Sequence, residues 1–268
     1  MVDGEVRSYE ISSKDDELLE SNREIWKGLG LGQTGTALFF PAPNALVPLK
    51  FAKFMNKRKV TFVDTNEINV STLLKLAAQE KLSNVTVKLS TASRFPLADN
   101  SFDLVYSDWG LSSSLESAPT KAGGNSDALV HEFVRVLKSG GKIAALEENG
   151  APVMYPCPPE IVRIRTKMDS QRAERLIMGR RVFGLFKNSR LKNITLNGYS
   201  HFLTSDDKER LKDEINRRVL LIEASSQFYS GIGVTSQEQE KYKSWLKSLV
   251  GSEPFFMQFN SILTVAEK

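Results

Sequence analysis

The chain has few of the residues that bind transition metals or form disulfides. Its 268 residues include 1 cysteine, Cys157, and 2 histidines, His131 and His201. A single cysteine excludes an internal disulfide and a cysteine-rich metal site. With so few thiols and imidazoles, we expect no zinc or iron centre.

Long apolar runs are also missing. The longest, residues 36–49, is interrupted by Pro41, Pro43 and Pro48 and is too short to cross a bilayer. Residues 1–17 carry acidic side chains early and lack the apolar core of a signal peptide. We therefore predict a protein without a membrane span, and a cytoplasmic location is our expectation.

Charge is close to balanced overall but is unevenly distributed. The net charge is +4, and 41% of residues are hydrophobic, which is ordinary for a globular protein with a substantial core. Residues 160–192 contain 10 Lys and Arg against 3 acids. This basic region is typical of a solvated helical surface, or of a surface for an acidic substrate, nucleic acid or anionic lipid.

Apolar strand patterns alternate with helical spacing from residue 36 onward. The predicted strands are 36–40, 59–64, 85–90, 102–107, 142–148, 192–199 and 256–268. The predicted helices are 15–27, 45–55, 69–82, 128–138, 206–226 and 236–249. Strands that alternate with helices of this length indicate a parallel α/β sheet with helices on both faces.

Two boundaries follow from local signals. Gly140 is expected to end the helix over 128–138, because glycine favours the position after a helix. Thr235 and Glu238 have the spacing of a capping box at the start of the last helix. Residues 111–126 are polar and contain glycine, which is typical of a mobile entrance loop.

Two segments carry a family resemblance. FPLADNSFDLVYS at 95–107 and HEFVRVLKSGGKI at 131–143 resemble the central signature of the class I S-adenosylmethionine-dependent methyltransferases. Residues 179–199 are similar to the same part of the ubiquinone and menaquinone biosynthesis enzymes, the methyltransferase type 11 group. The resemblance covers about residues 36–268.

The resemblance implies a fold and a division of the chain. The fold is α/β and Rossmann-like, doubly wound, with a mostly parallel seven-stranded sheet, an antiparallel last strand and helical cover segments. Residues 1–35 would be an N-terminal helical arm, and 36–268 the methyltransferase-like domain. Within that domain, 150–190 and 205–250 would cover the substrate side.

The resemblance also implies S-adenosylmethionine as cofactor and a place for its ribose. Asp64 ends the second predicted strand, at the sheet edge where ligands of open α/β folds bind. A carboxylate there accepts hydrogen bonds from a ribose diol, and Thr65 follows it. The alternative is that Asp64 caps the next helix, a role that Asn66 could also take.

The turn after the first strand departs from the family pattern. The family's acid falls on Phe39, and its glycines fall on Pro41, Pro43 and Ala45. Glycine permits close approach of the backbone to a cofactor, whereas proline has a fixed φ and no N–H. Pro41, Ala42 and Pro43 would still line the cofactor, but with fewer hydrogen bonds.

The adenine pocket would include Thr91 and Ala92. Relatives commonly carry an acid at the position of Thr91. Its hydroxyl can accept a hydrogen bond, although one without the strength of a carboxylate.

The acceptor side is less strongly encoded, because methyl transfer from a sulfonium depends mainly on proximity and exclusion of water. Ser107 would face the cleft at the end of the fourth strand. Asp108, Trp109 and His201 are the candidates for catalytic roles, and Asp108 could orient an amine or act as a base. Equally, Asp108 could cap a turn while Trp109 packs in the core.

Three functions are compatible with this sequence. We favour a methyltransferase that acts on a small molecule. The alternative is a methyltransferase-like protein that has lost catalysis and serves in binding or assembly. A nucleic-acid methyltransferase that uses the basic region is less favoured, because SDWG stands at 107–110 where such enzymes carry an Asn-Pro-Pro-Tyr-like motif.

Overall fold

A computed structural model describes residues 15–29, 34–42, 45–90, 94–116, 124–170, 172–251 and 254–268. The strands are β1 Gly35–Phe40, β2 Arg58–Asp64, β3 Val85–Leu89, β4 Phe102–Asp108, β5 Leu137–Glu148, β6 Val153–Tyr155, β7 Lys192–Thr204 and β8 Phe256–Glu267. The helices are α1 Asp15–Gly28, α2 Leu46–Phe54, α3 Glu67–Gln79, α4 Gly110–Glu116, α5 Gly124–Val136, α6 Pro159–Ser170, α7 Ala173–Leu176, α8 Met178–Asn188, α9 Lys208–Ala224, α10 Ser226–Gly231 and α11 Ser236–Ser248.

The strands form one mixed sheet in the order β3-β2-β1-β4-β5-β8, and β7 and the short β6 both pair with β8. The pairs among β1 to β5 are parallel, and β8 runs antiparallel to β5, β6 and β7. The predicted doubly wound, mostly parallel sheet with an antiparallel last strand is confirmed. Strand β6 was not predicted, and it raises the strand count from seven to eight.

The direction of winding reverses between β1 and β4. Strands β2 and β3 extend the sheet on one side of β1, whereas β4 and β5 extend it on the other. Such a reversal opens a crevice beyond the carboxyl ends of the two central strands. The first residues after β1 and β4 therefore meet at this edge.

Side chains of the central strands alternate between two core clusters. Phe39, Phe62 and Tyr106 lie in the cluster that contains α1 and α2. Leu38 and Val105 lie in the cluster on the other face, with side chains of α5 and α8. This alternation is the period of two that a pleated strand imposes.

A third cluster is formed away from the central strands by the helices α6, α9 and α11. It contains Ile164, Ile215 and Leu246, together with Met257 at the start of β8. The predicted capping box at the start of α11 is confirmed, because Thr235 and Glu238 each accept from the other's backbone N–H.

The predicted end of the helix over 128–138 is wrong. Helix α5 ends at Val136, and Leu137 already pairs with Phe102 as the first residue of β5. Gly140 has a φ of 71° inside β5, where its N–H donates to the carbonyl of Lys268. Pairing with two other strands overrides the helical pattern at Leu137 and Lys138.

Part of the predicted entrance loop is helical. Residues 110–116 form α4, which begins at once after β4. The backbone N–H groups of Leu111 and Ser112 donate to the carboxylate of Glu147, at 2.8 and 3.2 Å. The cap of this helix is therefore a side chain 35 positions further along the chain, which no local pattern reveals.

Candidate functional site

The candidate site lies at the carboxyl ends of β1, β2, β4 and β5, on both sides of the winding reversal. These strands end at Phe40, Asp64, Asp108 and Glu148. Parallel strands bring their carboxyl ends to one edge of the sheet. Of the residues predicted for the site, this edge brings together Pro41, Ala42, Asp64, Thr65, Ser107, Asp108 and Trp109.

Asp64 connects three pieces of backbone at this edge. Its side chain is buried, and Oδ2 accepts from the N–H of Ala42 at 2.9 Å. Its Oδ1 accepts from the N–H of Asn66 at 2.8 Å and from Nδ2 of Asn69 at 3.2 Å. The carboxylate thus holds the turn after β1 against the start of α3. A carboxylate has about four acceptor positions, so the described residues leave one on Oδ2 open.

The cap of α3 is Asn66, not Asp64. Asn66 Oδ1 accepts from the N–H groups of Ile68 and Asn69, at 2.8 and 3.4 Å. The capping alternative considered for Asp64 is therefore wrong. Thr65, which lies between the two, is exposed.

The position of the family's acid is occupied by an aromatic core side chain. Phe39 is fully buried, and its ring centroid lies 5.1 Å from Phe51, 5.5 Å from Phe62 and 5.2 Å from Tyr106. These distances are typical of interacting aromatic pairs. An acid at this position would lose those contacts and be buried away from water.

A glycine is required at the start of α4. A Cβ on Gly110 would lie 2.5 Å from Ser107 Oγ, 2.8 Å from Pro41 Cδ and 2.9 Å from Phe40 Cδ1. Real Cβ atoms do not approach that closely, so α4 packs directly on the turn after β1 because residue 110 has no side chain. The Phe40–Pro41 peptide bond in that turn is cis.

Ser107 is buried at the end of β4 with its hydroxyl unpaired. Its side chain has no exposed surface, and Oγ has no hydrogen-bond partner among the described residues. Buried hydroxyl groups are nearly always hydrogen-bonded in folded proteins, and each exception asks for an explanation. A ligand atom at this edge would supply one.

Two carboxyl groups with raised pKa values lie beside Ser107. Burial raises the pKa of Asp108 to about 7. Burial, and to a smaller extent the charge of Asp108, raises the pKa of Glu147 to about 8, against its hydrogen bonds to α4. Groups that titrate near neutral pH are suited to accept or donate protons, and they cluster at functional sites.

The side chain of Asp108 has no hydrogen bond among the residues that the structure describes. It therefore does not cap the following turn, which was the alternative role. Burial first, and then the charge of Asp108, raises the pKa of Tyr106 well above its usual range. The Tyr106 hydroxyl is buried without a hydrogen-bond partner in the described residues.

Trp109 begins the turn into α4 with a φ of 57°. Its carbonyl accepts from the hydroxyls of Ser112 and Ser113, at 3.1 and 2.7 Å. Its partly buried ring packs against the core cluster of α1 and α2, in agreement with the packing alternative.

Three predicted residues lie outside the described part of the chain, and one lies away from the site. Pro43, Thr91 and Ala92 are not described. His201 is on β7, which is separated from β4 by β5 and β8. Strands are spaced about 4.8 Å apart, so this separation is roughly 14 Å. Burial, followed by the charge of Arg210, lowers the pKa of His201.

Glu147 is the site residue that sequence reasoning missed. In the strand pattern KIAALEE, a period of two places it on the same face as the buried Ile143 and Ala145. An acid at an inward position after an apolar strand was the available signal.

Three cations of the basic region pair with acids of this chain. Lys167 lies 2.6 Å from Glu238, Arg175 lies 3.2 Å from Glu148, and Arg181 forms an ion pair with Glu174. At these three positions the basic region is occupied by acids of this chain, which leaves it less open to a nucleic acid.

One cavity lies on the proposed substrate side, between β6, α6 and α11. Its volume is about 590 Å³. It is lined by Met154, Tyr155, Pro156, Cys157, Pro158, Val162, Trp245, Ser248 and Leu249.

Two searches of the described residues gave negative results. They contain no group of three or more side chains that could hold a metal ion. None of the helices in this part of the chain is long and apolar enough to cross a membrane.

Comparison with known proteins identifies the domain. The profile of the family described as Methyltransferase domain matches residues 45–145. Residues 45–145 therefore correspond to a methyltransferase domain. The match begins at Ala45, after the turn in which prolines replace the family's glycines. The narrower likeness to quinone-biosynthesis enzymes stays a prediction.

Solved structures agree with this methyltransferase fold. A putative methyltransferase from Bacillus halodurans is 14% identical over 93% of this chain and 99% of its own, with a TM-score of 0.60. A Haemonchus contortus phosphoethanolamine N-methyltransferase 2, in complex with phosphomonomethylethanolamine and S-adenosylhomocysteine, is 20% identical over 93% of this chain and 52% of its own, with a TM-score of 0.57.

The same fold occurs in a protein named for another reaction. The cyclase SpnF is 15% identical over 92% of this chain and 80% of its own, with a TM-score of 0.57. No curated protein matches the chain in sequence. At these identities the likeness establishes the fold alone, and activity must be argued from the site.

Proposed function

We propose that this methyltransferase domain binds S-adenosylmethionine at the carboxyl ends of β1, β2 and β4 and transfers its methyl group to a small molecule. The observation that supports this most directly is the unpaired, fully buried hydroxyl of Ser107 at that edge. Within this proposal, the arm 1–35 and the segments 150–190 and 205–250 cover the site.

The residues present fit the cofactor, although with fewer polar contacts than the family pattern. The described residues leave one acceptor position open on Oδ2 of Asp64, which suits a ribose hydroxyl. Ser107 Oγ offers a donor and acceptor that the described residues do not satisfy. Phe39 has no carboxylate, and its amide already belongs to the β-sheet. Pro41 has no N–H. We therefore expect a weaker affinity than a glycine-rich turn would give.

The cofactor supplies an electrophilic methyl group, and the chain supplies position and proton transfer. Asp108 and Glu147, with pKa values of about 7 and 8, can hold or accept the proton of an acceptor group near neutral pH. The packing of α4 on Pro41 and Phe40 excludes water from the turn after β1.

A second candidate is a binding or assembly protein that has lost catalysis. Two observations favour it: Phe39 replaces an acid in the aromatic cluster, and three N–H donors of this chain already bind the Asp64 carboxylate. In this case the fold would be retained for its surface, and the cofactor would not bind.

Calorimetric titration with S-adenosylmethionine and S-adenosylhomocysteine separates the two candidates. Under the enzyme proposal the wild-type chain binds, and Ser107→Ala raises the dissociation constant by about fivefold or more because a hydrogen bond to the ligand is lost. The absence of heat at millimolar cofactor would instead support the binding protein.

Thr264→Val is the matched control for Ser107→Ala. Thr264 on β8 is also fully buried, with a hydroxyl that has no partner in the described residues. Neither substitution breaks an observed hydrogen bond, so neither should lower the melting temperature. Only Ser107→Ala should change cofactor affinity. Equal effects of the two would mean that Ser107 does not contact the cofactor.

A further inference from the structure

Five arginines gather on the substrate side of the fold. Arg165 on α6, Arg172 and Arg175 around the start of α7, and Arg217 and Arg218 on α9 surround three acids, which are Glu148, Asp169 and Glu214. We call these eight residues the arginine cluster. They come from β5, from the neighbouring helices α6 and α7, and from α9, which lies more than 30 residues further along the chain.

The contacts in the cluster are unevenly distributed. Arg175 Nε lies 3.2 Å from Glu148 Oε2. Arg217 and Arg218 share Glu214, at 2.8 and 2.6 Å. Arg218 also lies over the ring of Phe259, 5.2 Å from its centroid. These side chains are fixed by neighbours of this chain.

Arg172 differs from the others because none of its side-chain donors is used within the described residues. Its guanidinium lies over the Tyr229 ring, 5.5 Å from the centroid, and it makes no hydrogen bond within the described residues. It is partly buried. A guanidinium carries five donors in a planar fork that matches a carboxylate or phosphate.

Asp169 and Glu148 each lie near several of these cations. Arg165, Arg172 and Arg218 all lower the pKa of Asp169, and Arg175, Arg218 and Arg172 lower that of Glu148, each against a larger effect of burial. Arg172 and Arg218 are therefore near enough to both carboxylates to act on their pKa values. No ion pair within 4.0 Å joins Asp169 to any described residue.

The charge of Arg172 is the one that this network leaves without a close partner. Arg175, Arg217 and Arg218 each lie within 4.0 Å of an acid, and Arg165 donates to the carbonyl of Pro152. No such contact joins the guanidinium of Arg172 to a described residue. Partly buried charges are normally paired, because their removal from water is costly. A bound anion would pair with it.

The cluster adjoins the candidate site. Glu148 follows directly after Glu147, whose carboxylate caps α4. The N–H of Gly150 donates to the carbonyl of Leu176 at 2.5 Å, which fixes the end of α7 beside the end of β5. Helix α7 also packs against α4.

We propose that the arginine cluster binds the oxyanion of the small-molecule substrate, a phosphate or carboxylate group, with Arg172 as the residue that contacts it directly. This rests on the proposed function for the identity of the ligand as the methyl acceptor. Anion binding itself needs no cofactor, so the two proposals can fail separately.

The test is calorimetric titration of the cofactor-free chain with inorganic phosphate and, separately, with acetate, at constant ionic strength. We expect wild-type binding of one of them, and at least about a fivefold loss of affinity in Arg172→Gln, since a charge-assisted hydrogen bond is lost. Binding of phosphate would identify a phosphate ester, and binding of acetate alone a carboxylic acid.

Arg163→Gln is the matched control. Arg163 is exposed on α6 and lies outside the cluster, yet the substitution removes the same charge. Absence of binding by both anions to wild type, or equal losses in the two variants, would overturn the proposal. Arg172→Lys provides a second variant, which should bind with intermediate affinity because it keeps the charge but loses the fork.

The cofactor titration distinguishes this failure from that of the proposed function. If S-adenosylmethionine binds and neither anion does, only the arginine cluster proposal is overturned. If an anion binds through Arg172 and the cofactor does not, the site is an anion site of a protein that is not a methyltransferase enzyme.

Discussion

Glu147→Gln should change how the stability of the domain depends on pH. Folding raises the pKa of this fully buried carboxyl from 4.5 to about 8. Between those values the folded chain holds a proton that the unfolded chain has released. The free energy of unfolding therefore falls as pH rises from about 5 to 8.

The size of the effect follows from the shift. About 3.5 pKa units at about 1.4 kcal/mol each give an upper limit of about 5 kcal/mol across this pH range. Glutamine cannot titrate, so the variant should lose this part of the slope. Asp108, whose pKa is about 7, titrates in the same range and should leave a smaller slope in the variant.

Glutamine should also weaken the cap of α4. Its amide has one acceptor oxygen where the carboxylate has two, so the N–H of either Leu111 or Ser112 is left unpaired, at a cost of about 1–3 kcal/mol. The variant should therefore be less stable than wild type at pH 5. The difference should shrink, and then reverse, as pH approaches 8.5.

Denaturant unfolding followed by circular dichroism, at intervals from pH 5 to 8.5, measures both effects. Glu132→Gln is the control, because hydrogen bonds and ion pairs with Phe95 and Arg135 lower the pKa of the Glu132 carboxyl. Its stabilising contribution is present above the unfolded pKa, so its loss should be constant over this range. Parallel pH profiles for wild type and Glu147→Gln would refute the reasoning.

Two further substitutions test the edge of the sheet. Asp64→Asn should lower the free energy of unfolding by about 1–3 kcal/mol, because an amide cannot accept all three hydrogen bonds. Thermal unfolding measures this change. An unchanged melting temperature would show that Asp64 does not stabilise the turn after β1. Gly110→Ala should cost about 1–3 kcal/mol through overpacking against Pro41 and Ser107. Gly184→Ala, where a Cβ on α8 would contact nothing within 4 Å, should instead stabilise by up to about 1 kcal/mol. Equal melting temperatures for the two alanine variants would contradict the packing of α4.

Local patterns predicted the central sheet because its strands are short, apolar and separated by amphipathic helices. The predicted strands over 59–64 and 102–107 differ from β2 and β4 by one residue each. The patterns gave wrong boundaries where pairing between strands overrides propensity, as at Leu137. They missed α4, because its cap is supplied by Glu147 and not by a neighbour in sequence.

By itself, the sequence determined the alternation of strands and helices, the replacement of the family's glycines by Pro41 and Pro43, and the place of Asp64 at the end of a strand. These are properties of single positions and of local periodicity. Only the tertiary structure decided that Asp64 holds the turn after β1, that Glu147 is buried with a raised pKa, and that the guanidinium of Arg172 lies over the Tyr229 ring. Each of these depends on side chains that meet across the sheet from distant parts of the chain, where burial and charge are set by neighbours that no local pattern contains.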